Sequence, residues 1–218
     1  MPLKELFDGV YSIGGKLATL NSAKGSRVYG EELVQSDGKE YRLWNPYRSK
    51  LAAAILKGMK GMHIGSSTVV LYLGAATGTT ASHVSDIAHS GTVFCVEFSE
   101  RNMRELIPVC ERRQNMLPLL YDANDVDAYA GMVGSCDVIY QDVSARNQSE
   151  ILRRNASLLK RGGYAYFIIK SQSIDISKEP GQVFREELAS LEGLFSVEEK
   201  VDIEPFDSLH LFAVLKKL

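Results

Sequence analysis

The sequence is poor in residues that staple, span or address a protein. Cysteine occurs three times in 218 residues, at Cys95, Cys110 and Cys136. The number is odd, no C-x-x-C pair exists, and Cys95 and Cys136 sit within apolar runs. That pattern suits buried, reduced thiols rather than a disulfide framework. The four histidines (His63, His83, His89, His210) fall at neither H-x-x-x-H nor H-E-x-x-H spacing, so no metal site is expected. No run approaches the ~18–20 apolar residues of a membrane span. The opening MPLKELFDGVYSI carries Glu5 and Asp8 where a secretory signal needs an apolar core. A cytoplasmic protein without membrane association is expected. Charge of one sign is lacking too, with 25 Lys and Arg against 27 Asp and Glu. A domain that grips nucleic acid unaided is ordinarily basic. If the substrate is RNA, positive charge is gathered on one face or a partner supplies the grip.

Present instead is an ordinary globular balance, 45% hydrophobic and 24% charged. A chain of this length buries roughly 70% of its unfolded surface without disulfide or metal. Its texture changes near residue 46, which divides a small N-terminal β domain (1–45) from the remainder (46–218). Residues 9–45 read as short alternating segments, GVYSI, KLATLN, SRVYG and ELVQSDGKEYRLW, with a hairpin signal at Asp37-Gly38. From Asn45 and Pro46, read as the cap and first turn of a helix, helical and apolar strand patterns alternate. Strands are expected at 69–74, 92–98, 117–122, 136–143 and 162–170. Helices are expected near 79–88, 100–115, 125–132, 146–161 and 179–192. Two last strands, 195–203 and 208–216, face each other across Glu204 to Asp207 as an antiparallel hairpin. Nearly all-apolar strands alternating with helices make a doubly wound α/β fold, with a mostly parallel seven-stranded sheet and a small antiparallel β appendage.

Ligands of such sheets sit at the carboxyl ends of the strands. After the first parallel strand comes Gly74-Ala75-Ala76-Thr77-Gly78-Thr79-Thr80, whose small residues let a backbone approach a ligand. The spacing is G-x-x-x-G, without the G-x-G-x-x-G of dinucleotide binders, which counts against a nicotinamide dehydrogenase. The next strand ends Glu97-Phe98, a carboxylate suited to ribose hydroxyls and a ring suited to adenine. Asp122 and Asp142 close the following two strands, either as ligands of a nucleoside or as helix N-caps. The set at successive strand ends describes an S-adenosyl-L-methionine site better than any one of its members.

Several stretches then resemble one family in order along nearly the whole chain: YRLWNPYRSKLAAAI (41–55), LGAATGTTASHVSDI (73–87), VEFSERNMREL (96–106), DVIYQDVSARNQ (137–148), IIKSQSID (168–175) and EPFDSLHLFAVLK (204–216). They look like fibrillarin, and the N-terminus, without a Gly/Arg-rich extension, looks like the archaeal fibrillarin-like proteins. The resemblance implies a class I, Rossmann-like methyltransferase that uses S-adenosyl-L-methionine to methylate ribose 2′-oxygens of rRNA and tRNA. It also implies a box C/D guide RNA, a Nop-domain scaffold protein and a ribosomal-type kink-turn-binding protein as partners. Carried over, Ala76, Thr79, Thr80, Glu97, Phe98, Asp122, Ala123, Asp142 and Gln148 hold the cofactor, and Lys50, Asp142, Lys170 and His210 form the catalytic set. Departures from the family pattern are Thr77 in the loop, Ser144-Ala145-Arg146 after Asp142, and Asn124 in place of arginine. Read alone, Lys50 is by default a solvated lysine and His210 a half-buried histidine, while Lys170, closing an uncharged strand, is harder to read as one that merely snorkels. Basic residues around Arg42, Arg48, Lys50 and Lys178 are expected to face RNA. The rival readings are a stand-alone RNA methyltransferase and a non-catalytic subunit of the same fold.

Overall fold

A computed structural model describes residues 3–218. Its elements run β1 (Leu3–Phe7), β2 (Val10–Ile13), β3 (Lys16–Leu20), β4 (Leu33–Ser36), β5 (Lys39–Leu43), α1 (Lys50–Leu56), β6 (Val69–Leu73), α2 (Thr79–Ile87), β7 (Thr92–Glu97), α3 (Glu100–Glu111) and β8 (Met116–Leu120). They continue α4 (Asp127–Val133), β9 (Cys136–Gln141), α5 (Gln148–Asn155), β10 (Leu159–Lys170), α6 (Ser171–Ile174), α7 (Pro180–Ser190), β11 (Phe195–Asp202) and β12 (His210–Lys217). Strands β1 to β5 form an antiparallel sheet in the order β1-β2-β3-β5-β4. The other seven form a sheet in the order β11-β12-β10-β9-β6-β7-β8. Its five central and right-hand strands are parallel, and β12 joins antiparallel to both β10 and β11.

The alternation of apolar side chains across each strand gives this sheet two dry faces. One packs on α1, α2 and α3 through Leu51, Ala53, Val84 and Leu106, and the other on α4, α5 and α7 through Tyr129, Ile151 and Leu188. Among the described residues no helix is long and apolar enough to cross a membrane. From β6 the chain builds outward through β7 to β8, then returns to lay β9 on the opposite side of β6. That reversal opens a crevice between the carboxyl ends of β6 and β9, where open α/β sheets take their ligands.

Some elements differ from the sequence expectation for identifiable reasons. The Asp37-Gly38 hairpin forms, with both residues at positive φ. SRVYG does not form a strand, because the amides of Val28 and Tyr29 turn onto the carboxylate of Glu31. Leu3–Phe7, outside the expected segments, does. The helix after Pro46 starts only at Lys50, capped by Ser49, whose Oγ accepts from Ala52 N–H. Asn45 instead closes a local turn by accepting from Tyr47 N–H. The helix expected to reach 161 stops at Asn155, and β10 starts at Leu159 with a register break before Tyr164. The break falls at Gly162-Gly163, where a Cβ on Gly163 would lie 2.8 Å from Asp137 O.

The two sheets are held together by buried charge. Arg42, on β5, is fully buried, donating to Glu31 and, at 2.7 Å, to Asp86 of α2. Asp86 also pairs with Arg113 at 3.3 Å and accepts from Thr19 and Ser22. Arg42 is therefore a structural residue, and its expected place on an RNA-facing surface is corrected. Replacing Asp86 by Ala leaves two buried guanidinium groups short of their counter-charge and is expected to cost about 3–5 kcal/mol in denaturant unfolding. A loss below ~1 kcal/mol, the size of an exposed ion pair, would show that the cluster does not join the sheets.

Candidate functional site

The crevice begins with backbone geometry that the sequence can supply only through small residues. Gly74 and Gly78 have φ of +81° and +88°. A Cβ on Gly74 would stand 2.9 Å from the carbonyl of Asp142, so this glycine permits the ends of β6 and β9 to meet. Ala76 has φ of +48°, in the left-handed region, and its N–H donates to Glu97 Oε2 at 2.8 Å. Glu97, buried at the end of β7, takes the Ser99 N–H on its other oxygen at 2.8 Å. A carboxylate offers about four acceptor positions, so two remain for a diol. Phe98, beside it, is 75% exposed and lines the crevice with Tyr121, Asp122 and Ala123.

Asp122 is not a helix cap: its Oδ1 accepts from the backbone and side chain of Asn124, and α4 starts only at Asp127. Thr79 lies at the start of α2. Thr80 is buried there and donates to Ser49 Oγ, tying α2 to the cap of α1. Gln148 lies deeper than a ligand contact implies. It is fully buried, its Nε2 donates to Ala145 O, and its Oε1 accepts from the backbone N–H of Lys170 at 3.1 Å. An acidic group, an exposed ring and an open helix start suit the ribose, base and carboxylate of S-adenosylmethionine respectively.

Beside the crevice lies a chain of charges. Asp142 at the end of β9 has Lys50 Nζ at 3.2 Å on Oδ2 and Lys170 Nζ at 2.7 Å from Oδ1. Lys170 Nζ also donates to the Asp142 carbonyl at 2.9 Å and to Ser144 Oγ at 3.1 Å. Asp142 does not cap α5, which begins after Asn147. Lys170 and His210 are direct cross-strand partners in the β10–β12 register, so they share a face of the sheet. Between Lys50 and His210 stands Asp207, 3.4 Å from Lys50 Nζ and 2.6 Å from His210 Nδ1. The four residues of the expected catalytic set are thus gathered in one place.

Asp207 was absent from that set; its only sequence signal is a position three residues before His210. Leu209 was missed as well. It has φ of +62°, and its carbonyl accepts from Ser171 N–H and Oγ, which fixes the backbone just before His210. Strained backbone of this kind concentrates at functional sites. His83 is buried packing, stacked on Trp44 and bonded to Thr19 and Tyr29.

The fibrillarin family model matches residues 2–217. The chain belongs to the fibrillarin family. A fibrillarin-like rRNA/tRNA 2′-O-methyltransferase of Methanocaldococcus jannaschii is 46% identical, aligned over 97% of this chain and 95% of its own. That of Pyrococcus horikoshii is 47% identical, over 98% and 97%. Among solved structures, a fibrillarin pre-rRNA processing protein of Methanococcus jannaschii superposes with a TM-score of 0.95 at 46% identity, covering 99% of this chain and 97% of its own. Aeropyrum pernix fibrillarin with natively bound S-adenosyl-L-methionine gives 0.91 at 40% identity, covering 99% and 98%. The fibrillarin of a fibrillarin/Nop5p complex gives 0.91 at 39% identity, covering 99% and 100%. The fibrillarin fold thus spans both sheets of this chain.

Two titrations in the site are displaced. Burial would depress Lys50, but Asp142 and Asp207 outweigh it and hold the ammonium above its ordinary range. Burial would raise Asp207, but His210 and Lys50 prevail and hold its carboxyl below the usual range. The unfolded chain therefore takes up the Asp207 proton first as pH falls. The stability due to Asp207 is complete above ~3.9, the ordinary carboxylate value, and is lost as pH drops through its lower folded value. Asp207→Asn should flatten the fall in unfolding free energy below about pH 4. An unchanged slope would show that Asp207 is not paired in solution.

Proposed function

We infer that this chain transfers the methyl group of S-adenosyl-L-methionine to ribose 2′-oxygens of rRNA and tRNA, as a member of the fibrillarin family. One observation carries the reading: Lys50, Asp142, Lys170 and His210 converge, through Asp207, beside a crevice with the chemistry of a nucleoside site. The bound cofactor supplies a methyl group already activated by its sulfonium, so the protein's work is positioning and management of one proton. In this reading Glu97 holds the ribose of the cofactor, Phe98 flanks its adenine, and Asp122 with Ala123 borders the base. Gly74, Ala76, Gly78, Thr79 and Thr80 shape the loop beneath it, and Gln148 acts from behind by fixing Lys170.

Asp142 orients two ammonium groups at once. Lys170 Nζ, held by three oxygens of Asp142 and Ser144, is the atom that steers the 2′-hydroxyl, and it takes the hydroxyl proton only as the neutral amine, whose lone pair is free. Lys50 and His210, coupled by Asp207, hold the ribose and its neighbouring phosphate. The family's structure with Nop5p supports a Nop-domain scaffold as partner. Guide RNA of the box C/D type and a kink-turn-binding protein belong to the same reading, because the small antiparallel sheet is all that the described residues offer beyond the seven-stranded sheet and its helices as a recognition domain. Arg48 and Lys178 are its exposed basic contacts to RNA.

Methyl transfer from labelled cofactor to a guided RNA, with and without partner proteins, tests the assignment. Modification at the guide-specified 2′-oxygen only with partners present is expected. Transfer by the chain alone would make it a stand-alone enzyme, and none in an assembled particle would make it structural. Lys170→Ala should lower turnover at least ~10²-fold, the usual contribution of a placed proton acceptor, while cofactor binding persists. Wild-type turnover in that variant would remove Lys170 from the mechanism.

A further inference from the structure

Lys170 has no donor to spare in the folded chain. An ammonium carries three N–H groups and no acceptor. Three protein oxygens stand close to Nζ: Asp142 Oδ1 at 2.7 Å, the Asp142 carbonyl at 2.9 Å and Ser144 Oγ at 3.1 Å. To steer a ribose hydroxyl, Lys170 must release one of them. Which one yields follows from how each oxygen is held.

Neither Asp142 oxygen is free to leave. The residue's N–H donates to Leu73 O at 3.0 Å, and its carbonyl lies 2.9 Å from where a Cβ on Gly74 would stand, so its backbone is locked between β6 and β9. Its carboxylate is tied to Lys50 as well, through Oδ2 at 3.2 Å. Ser144 differs on each count. It is exposed, its oxygen is uncharged, and its contact is the longest of the three. Among the described residues its hydroxyl has no other hydrogen-bond partner. Rotation about χ1 would carry that hydroxyl into solvent for the loss of one bond.

Val143 and Ala145, on either side of Ser144 in the chain, line the cofactor crevice. Of the three contacts to Lys170, the one from Ser144 therefore comes from the crevice wall. We propose that the Ser144 hydroxyl stands in for the target 2′-hydroxyl: it closes the third corner of Lys170 until RNA arrives, and the ribose oxygen displaces it. The proposal rests on the RNA-methyltransferase reading and locates the reacting oxygen on this chain. The same corner suits the neutral amine, which keeps two N–H groups for the Asp142 oxygens and turns its lone pair to the place Ser144 vacates. There the 2′-O–H bond breaks as the third N–H forms. The oxygen's freed pair makes the new C–O bond, with the C–S pair left on sulfur.

The test uses the assembled particle loaded with S-adenosyl-L-homocysteine, so that RNA binds without turnover. Two guided RNAs are compared that differ only in a 2′-hydroxyl or a 2′-hydrogen at the target. Ser144→Ala is expected to bind the 2′-hydroxyl RNA about 2- to 10-fold more tightly than wild type, the worth of one hydrogen bond no longer given up. The 2′-deoxy RNA, which displaces nothing, should bind both proteins equally. Ser144→Thr keeps the hydroxyl and should match wild type with either RNA. In turnover with the methyl donor, the KM for RNA should fall in Ser144→Ala by the same factor. Unchanged affinity for the 2′-hydroxyl RNA would overturn the proposal. Equal tightening of both RNAs would overturn it too, since that marks an effect on the whole turn. Either result leaves the enzyme reading intact where the wild-type particle methylates its target. A wild-type particle that binds guided RNA without methylating it would sink both.

Discussion

Two cations share one carboxylate at the point where the sheet reverses, and the site is arranged around that contact. Asp142 is fixed before its side chain is considered: its N–H donates to Leu73 O, and its carbonyl fills the space a Cβ would claim at Gly74. The carboxylate therefore projects from a rigid junction of β6 and β9. Lys50 arrives from α1 and Lys170 from β10, so three separate elements are bound at one oxygen pair. Removing either lysine would leave Asp142 with one counter-charge in a half-buried setting, where an unpaired charge is expensive. The geometry that serves chemistry also closes the open end of the sheet.

The second constraint operates one layer away. Asp86 on α2 draws Arg42 from the antiparallel sheet and Arg113 from the segment after α3, with Thr19 and Ser22 filling its remaining acceptor positions. This cluster sets where the small sheet sits against the large one. It thereby places the loop from Trp44 to Ser49 and with it the start of α1, where Lys50 is the first helical residue. Thr80 completes the link by bonding Ser49. The appendage thus acts on the site through the entry to α1.

Local patterning made much of this legible. The apolar strands, the glycine loop and the strand-end acids follow from periodicity and small-residue spacing, and so the parallel sheet and its crevice do too. The Asp37-Gly38 turn was equally plain. What stayed hidden depends on tertiary partners. SRVYG has a strand's composition, yet Glu31, the next residue, captures the amides of Val28 and Tyr29. Arg42 looked like a surface cation because nothing local announces Asp86, 44 residues away. Asp207 was invisible as a site residue until the β10–β12 register set His210 opposite Lys170. The gathering of the four charged residues came from resemblance; spacing alone left each with a bland alternative.

The cations near the site in the folded chain are mostly spoken for. Of the basic residues near the site, Lys50 is neutralised by Asp142 and Asp207, Lys170 by Asp142, and Lys178 by Glu186 at 2.7 Å. Arg42 is buried against Glu31 and Asp86. Arg48 is the one of these five without a carboxylate within 4 Å among the described residues. RNA affinity scales with the number of phosphates neutralised by free cations, and of these five only Arg48 is free of a carboxylate partner among the described residues. These lysines are already paired, and engaging them with RNA means competing with their own carboxylates. A site built this way gains more from a substrate delivered in register than from affinity of its own.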